Sequence, residues 1–264
     1  MELITSAQNP KVKRLLALQQ KAVERRSSGL FVVEGRREIA RCISSGYQVD
    51  TLFWCPDIFG PEEPEVAGAR LFQVTADIYN KVAYRGGTEG IIAEVVCRPH
   101  TLQDLKLQQH PLVVVMESVE KPGNVGAILR SADAANVDAV IVCDPLCDLY
   151  NPNLIRASVG AFFSVPCVAC TSEECIRWLK DNDIQILTAQ LQDSHYYYET
   201  DMTQPTAIVM GTEATGLTDK WRQAADAHIR IPMLGIGDSL NVSVSAAILM
   251  FEAVRQRGHK NPHK

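Results

Sequence analysis

The chain has no apolar run long enough to cross a membrane. Its longest runs, around residues 112–116 and 246–251, fall far short of the roughly 20 residues that a spanning helix needs. The start, MELITSAQNP, lacks the charged segment and apolar core of a secretion signal. There is no G-x-G-x-x-G dinucleotide fingerprint: Gly123-x-x-Gly126 stands without a third glycine, and Pro122 occupies the place of the tight turn. There is no G-x-S-x-G nucleophile elbow, and His195, in DSHYYY, has no evident catalytic partner. These absences weigh against a membrane protein, a secreted protein, a Rossmann dehydrogenase and a serine hydrolase. A cytoplasmic globular protein is expected, and 46% hydrophobic and 22% charged residues suit one.

What is present is 264 residues, enough for two domains. The eight cysteines are not expected to form disulfides without an export signal. Two close pairs, Cys143-x-x-x-Cys147 and Cys167-x-x-Cys170, have a metal-like look, but both lie in or beside strand-like apolar runs. They read as buried free thiols, with no metal expected. The net charge of −5 is unevenly spread: residues 1–41 hold nine Lys and Arg against four acids. One basic face is implied, either a solvated helix surface or a contact for an anionic polymer. Lys11, Lys13, Arg14, Arg36 and Arg37 are its candidate residues.

Asn9-Pro10 reads as a helix N-cap followed by proline in the first turn. Short strand-like runs follow at 30–35, 51–55, 70–75 and 90–96, with helical stretches at 36–45 and 76–84. This predicts a small α/β domain over 1–98, with the polar segment 99–110 as a linker. From 111 to 264, continuous apolar strands alternate with amphipathic helices. That pattern implies a parallel sheet covered on both faces. FFSVPCVA reads there as a strand, NPNLIRAS as a helix and SEECIRWLKDN as a helix with a capping box.

In open parallel sheets ligands bind beyond the carboxyl ends of the strands. Three strand-end loops are rich in glycine and polar residues. They carry Asn124-x-Gly126-Ala-Ile-x-Arg130-Ser131, then Gly211-x-Glu213-x-x-Gly216-Leu217, then Ile231-Pro232-Met233 followed by Ser239-Leu240-Asn241-Val-Ser243. Taken singly, Arg130 is a helix-surface residue, Asn124 and Asn241 are helix caps and Glu213 is a turn carboxylate. Their joint order reverses those readings.

In that order and spacing, over about residues 111–257, the three motifs resemble those of the SpoU (TrmH) family of RNA ribose 2′-O-methyltransferases, in the SPOUT superfamily. FVVEGRREIARCISSG in the first domain is similar to the family's L30e-like RNA-binding extension. The resemblance implies a deep trefoil knot in the parallel-sheet domain, a homodimer with the active site at its interface, and S-adenosylmethionine (SAM) as methyl donor. It also implies an RNA substrate, ribosomal RNA ahead of transfer RNA. The implied catalytic set is Arg130, Asn124, Glu213, Ser239 and Asn241. The implied cofactor set is Gly211, Glu213, Gly216, Leu217, Ile231, Pro232, Met233, Ser239, Leu240 and Asn241. A catalytically silent RNA-binding protein of the same fold is the alternative. Gly126 stands where many relatives carry a second asparagine.

Overall fold

The computed structural model describes residues 2–84, 89–212, 215–237 and 239–258. Two compact units emerge: Met1–Arg98 with Tyr150–Ser164, and Pro99–Leu149 with Val165–Lys264.

The first unit starts with β1 (Glu2–Ile4), α1 (Pro10–Gln20), α2 (Ala22–Ser28), β2 (Leu30–Glu34), α3 (Arg36–Ser44) and β3 (Val49–Trp54). It continues with α4 (Pro56–Phe59), β4 (Arg70–Val74), α5 (Ala76–Val82) and β5 (Ile91–Val96). Asn9 caps α1 by accepting from the Lys11 N–H at 2.9 Å, with Pro10 in the first turn. The mixed five-stranded sheet has the order β1-β4-β3-β5-β2. Val12, Leu15 and Leu18, at helical spacing on α1, are buried in one core with Val32, Phe53, Val74, Ile78 and Ile92.

The second unit opens with β6 (Leu112–Glu117), α6 (Pro122–Ala134) and β7 (Ala139–Cys143). The chain then contributes α7 (Pro152–Ser158) and α8 (Ala161–Ser164) to the first unit. It resumes the second with β8 (Cys167–Cys170), α9 (Ser172–Asp181), β9 (Gln185–Ala189), β10 (His195–Tyr196) and β11 (Thr206–Met210). It closes with α10 (Asp219–Ala224), β12 (Ala227–Arg230) and α11 (Val242–Gln256). The sheet has the order β10-β12-β9-β11-β6-β7-β8, and every pairing is parallel. Its central strands β6, β7 and β11 are buried along their whole length, as a sheet covered on both faces requires.

Three expectations need correction. FFSVPCVA is not one strand: residues 161–164 form a helical turn and the strand begins at Cys167. Phe162 and Phe163 instead join Phe31, Tyr47 and Tyr150 in an aromatic cluster, with the Phe31 and Tyr150 centroids 4.7 Å apart. That cluster is why residues 150–164 pack with the first unit and not, as expected, with the second. The segment 99–110 is no free linker either. Thr101 and Asp104 form a capping box around a short 3-10 turn. Buried Leu102, with Leu105 and Leu107, packs on the core of the second unit.

Candidate active site

The three loops leave the carboxyl ends of β6, β11 and β12. β6 and β11 are adjacent in the sheet, and β12 is separated from β11 by β9 alone.

Asn124 lies in the first turn of α6, whose N-cap is Lys121 and whose first residue is Pro122. Asn241 is the N-cap of α11: its Oδ1 accepts from the Ser243 N–H at 3.0 Å and the Ser243 hydroxyl at 2.6 Å. The other end of the same amide donates to Asn124 Oδ1 at 3.3 Å. One asparagine side chain therefore starts a helix and joins the first loop to the third, which are 117 residues apart in sequence.

The first and second loops are joined by a residue not singled out in the sequence. Glu117, at the end of β6 and only 2% exposed, accepts from the Thr218 N–H at 2.8 Å and the Thr218 hydroxyl at 2.6 Å. Thr218 is the N-cap of α10. A carboxylate closing an apolar strand and a threonine opening a helix are separate local signals; the sequence carries no sign that they meet.

The second loop closes on itself. Thr212 and Gly216 exchange backbone hydrogen bonds at 3.2 and 3.1 Å, and the Thr212 hydroxyl lies 2.8 Å from that of Thr215. Gly216 has φ +68°, in the left-handed region, and a Cβ on Gly211 would overlap the backbone of Gly216 and Leu217. Glu213 lies outside the described residues. Leu217, expected as a pocket wall, is buried in the core with Trp221 and Val115.

In the third loop Ile231, Pro232 and Met233 are half-buried, while Ser239, Leu240 and Asn241 are exposed. Leu234 and Ile236 are almost wholly exposed. A Gly-flanked apolar pair in a polar loop was the available signal for them. Arg130 is exposed on α6, six residues beyond Asn124, which is about 9 Å of helix rise and about 120° of rotation. Asn124 and Asn241 are thus the sequence-predicted pair in direct contact, with Arg130 farther along the same helix.

In the first unit the proposed RNA-facing residues divide. Lys13 is exposed, and so is Arg37, beside Glu38 at 3.1 Å. Lys11 pairs with Glu2 at 3.1 Å, and Arg36 donates to the Phe59 carbonyl and stacks on its ring. Arg14 is committed internally: it pairs with the fully buried Glu94 and with Asp50 at 3.4 Å. Burial pushes the Glu94 carboxyl above its ordinary pKa, and the Arg14 guanidinium opposes that rise. Phe31, Phe53 and Trp54 are core residues and not stacking platforms.

Residues 111–251 match the SpoU rRNA methylase family, and residues 9–93 match the MRM3-like substrate-binding domain. A Bacillus subtilis protein named a 23S rRNA (guanosine(2553)-2′-O)-methyltransferase is 29% identical, over 95% of this chain and 98% of its own. A Vibrio parahaemolyticus 23S rRNA (guanosine-2′-O-)-methyltransferase is 37% identical, over 73% of this chain and 81% of its own. A crystal structure of an RNA 2′-O ribose methyltransferase superposes with a TM-score of 0.84 at 37% identity, covering 97% of this chain and all of that one. The SpoU methyltransferase AviRb from Streptomyces viridochromogenes, in complex with the cofactor AdoMet, superposes with a TM-score of 0.85 at 28% identity, over 94% of this chain and 99% of that one.

Proposed function

The chain belongs to the SpoU rRNA methylase family and is a SAM-dependent RNA ribose 2′-O-methyltransferase; we propose that its active site is the junction of the three strand-end loops around Asn124 and Asn241. The observation that carries this reading is the hydrogen bond between those two side chains, which unites the first and third motifs where a parallel sheet binds ligands. Ribosomal RNA is the substrate class, in line with the names of the relatives. Those names include both guanosine and uridine targets, so family membership does not fix the base.

The residues present suit SAM. Backbone groups of the second loop, brought close together by Gly211 and Gly216, offer donors and acceptors to a purine edge. The apolar side chains of Ile231, Met233 and Leu240 lie near Ser239 and Asn241 in the sequence of one loop, giving the mixture of apolar wall and few polar groups that small-molecule sites use. When bound, the cofactor supplies a sulfonium methyl whose leaving group needs no protonation.

The chain's own task is then to orient and polarise a weakly acidic 2′-hydroxyl. Asn124 and Asn241 hold each other in register and fix the start of α11. A guanidinium offers a fork of donors and is a poor base, so the role of Arg130 is to polarise the 2′-oxygen and to hold the neighbouring phosphate. Glu213 and Ser239 complete the set. Exposed Lys13 and Arg37 in the first unit supply phosphate contacts.

The deep trefoil knot is part of the same proposal, as is the homodimer. A stripe of Val244, Ile248 and Phe251 on α11 lies at i, i+4, i+7 spacing, with Val244 47% and Phe251 48% exposed. A second copy covering this stripe would bring another subunit beside α6 and Arg130. Among the described residues no helix is long and apolar enough to cross a membrane; the proposed location is the cytoplasm.

The test is transfer of labelled methyl from SAM to unmodified ribosomal and transfer RNA, followed by alkaline hydrolysis. A 2′-O-methyl group blocks cleavage of its phosphodiester, so the label is expected in an alkali-resistant dinucleotide from ribosomal RNA. Arg130→Ala is expected to lower transfer about 100- to 1000-fold, the range for removing a transition-state charge stabiliser, with SAM binding kept. Label on single mononucleotides would refute ribose chemistry. SAM binding with no transfer to any ribosomal RNA precursor would support a silent RNA-binding protein.

A further inference from the structure

At the same carboxyl edge of the sheet as the three loops, one strand beyond β6, three cysteines meet; Cys143 is the register partner of Glu117. Cys143 ends β7 and Cys170 ends β8, and the two are register partners across that parallel pair. Cys175 lies in the first turns of α9, which begins two residues after β8. Their three Sγ atoms all lie within 4.8 Å of one another. Cys143 and Cys175 are fully buried, and Cys170 is half-buried, so the cluster opens to solvent on the Cys170 side. Cys147 and Cys167, the partners that the close sequence pairs offered, do not belong to it.

We propose that Cys143, Cys170 and Cys175 form a thiolate site for a soft d10 cation, zinc above all, which ties the ends of β7 and β8 to α9. Three thiolates at about 2.3 Å from a tetrahedral zinc stand about 3.8 Å from each other, so only small side-chain adjustments convert the cluster into ligands. The surrounding frame is already fixed. Thr171 and Glu174 close a capping box on α9, and Asp144, next to Cys143, accepts from the Ser172 hydroxyl at 2.5 Å and the Ser172 N–H at 3.3 Å. Ser172 in turn accepts from the buried Trp221 indole N–H at 3.0 Å. Such outer contacts hold ligand-bearing segments in place. Binding releases the thiol protons to solvent as the three sulfurs coordinate. The fourth position lies on the open side, for water or another small donor. Thiolate ligands favour zinc or copper(I) over magnesium or calcium.

The full chain, purified under reducing conditions without chelator or an immobilised-metal column, is dialysed against zinc and then assayed for metal by atomic emission. Replacement by cobalt(II) gives a second readout, since sulfur-to-cobalt charge-transfer bands report thiolate ligation directly. The expected result is one zinc per chain, thiolate-type cobalt bands, and a melting temperature that falls on chelation and recovers when zinc returns. Cys170→Ser and Cys175→Ser should each weaken zinc binding at least tenfold while SAM binding and far-ultraviolet circular dichroism stay as in the parent chain. Cys147→Ser should leave zinc binding unchanged. No retained zinc and no thiolate bands in the parent chain would overturn the proposal, as would zinc that binds equally well to both cluster variants.

Discussion

Asn241 shows how one side chain can both start a helix and join two distant loops. As an N-cap it stabilises α11 by about 1 kcal/mol, and through its amide nitrogen it holds Asn124. Its role was legible because an asparagine followed by an apolar helical run is a local pattern. Glu117 was not legible, since its partner Thr218 is 101 residues away. Yet its side chain is buried and the two bonds it accepts are short. Glu117→Ala is expected to cost about 2–4 kcal/mol, from loss of those bonds and an orphaned N–H at the start of α10, and to weaken SAM binding. Chemical denaturation and calorimetry check the two effects, and an unchanged denaturation midpoint would remove Glu117 from the framework. Arg14 poses the opposite case: the sequence marks it as a basic surface residue, and the fold spends it on Glu94. Arg14→Ala should destabilise the chain by about 2–4 kcal/mol, because it leaves a carboxylate buried without its cation. A carboxyl whose folded pKa is raised binds its proton more tightly in the folded state, so its contribution worsens as pH rises from the ordinary value of 4.5 through the raised value. Without Arg14 the pKa of the Glu94 carboxyl rises further, so the deficit of Arg14→Ala should shrink as pH falls from the variant's higher value to the parent's raised one, which denaturation at a series of pH values would register. A pH-independent deficit would mean that Glu94 is not the cause.

Among the elements, strands were the most readable. β6, β7 and β11 are five- or six-residue apolar stretches bounded by polar loops, and their valine and isoleucine content favours strand. The capping box of α9 was equally plain in Thr171 and Glu174. FFSVPCVA failed because a short apolar run does not say whether it is strand or helix; the aromatic cluster around Phe31 decided it. The three-residue β1 lacks the length to show alternation and takes its partner, β4, from some 70 residues away. The second loop is an element whose shape rests on one missing side chain. Gly211→Ala would force a methyl group into the backbone of Gly216 and Leu217. It should open the loop, lower SAM affinity at least tenfold and leave the secondary structure content unchanged. Binding calorimetry with circular dichroism separates that outcome from general unfolding, and an unaltered affinity would show that the loop lies outside the cofactor site.

For the whole molecule, the uneven charge pointed to a basic first unit, but the fold shows that a charge count overstates the available surface. Arg14, Arg25 and Arg41 all donate to groups within that unit, leaving Lys13 and Arg37 among the exposed cations. The boundary near residue 98 was visible as a change from apolar strand to polar segment. The membership of 150–164 was hidden, because NPNLIRAS looks like any helix of an alternating pattern while its partners lie more than 100 residues earlier. At this scale the exposed stripe on α11 is the interface of the proposed homodimer. Phe251→Glu should shift the chain from dimer to monomer in light scattering at micromolar concentration and reduce methyl transfer, since a charge placed in an apolar interface core costs several kcal/mol. A dimer that survives this change would assign the interface elsewhere.

Residues 150–164 also bear on how the chain is made. The aromatic cluster of the first unit takes Tyr150, Phe162 and Phe163 from the far side of β6, α6 and β7. During synthesis, the first 98 residues leave the ribosome with Phe31 and Tyr47 still lacking those neighbours. Their core closes only after some 66 further residues have emerged, several seconds later at ordinary elongation rates of about 5–20 residues per second. A nascent chain paused before Ser164 would thus hold an unfinished first unit with exposed aromatic surface, the kind of species that chaperones bind. The N-terminal unit begins the chain, yet it is complete only after β6, α6 and β7 of the second unit have been made.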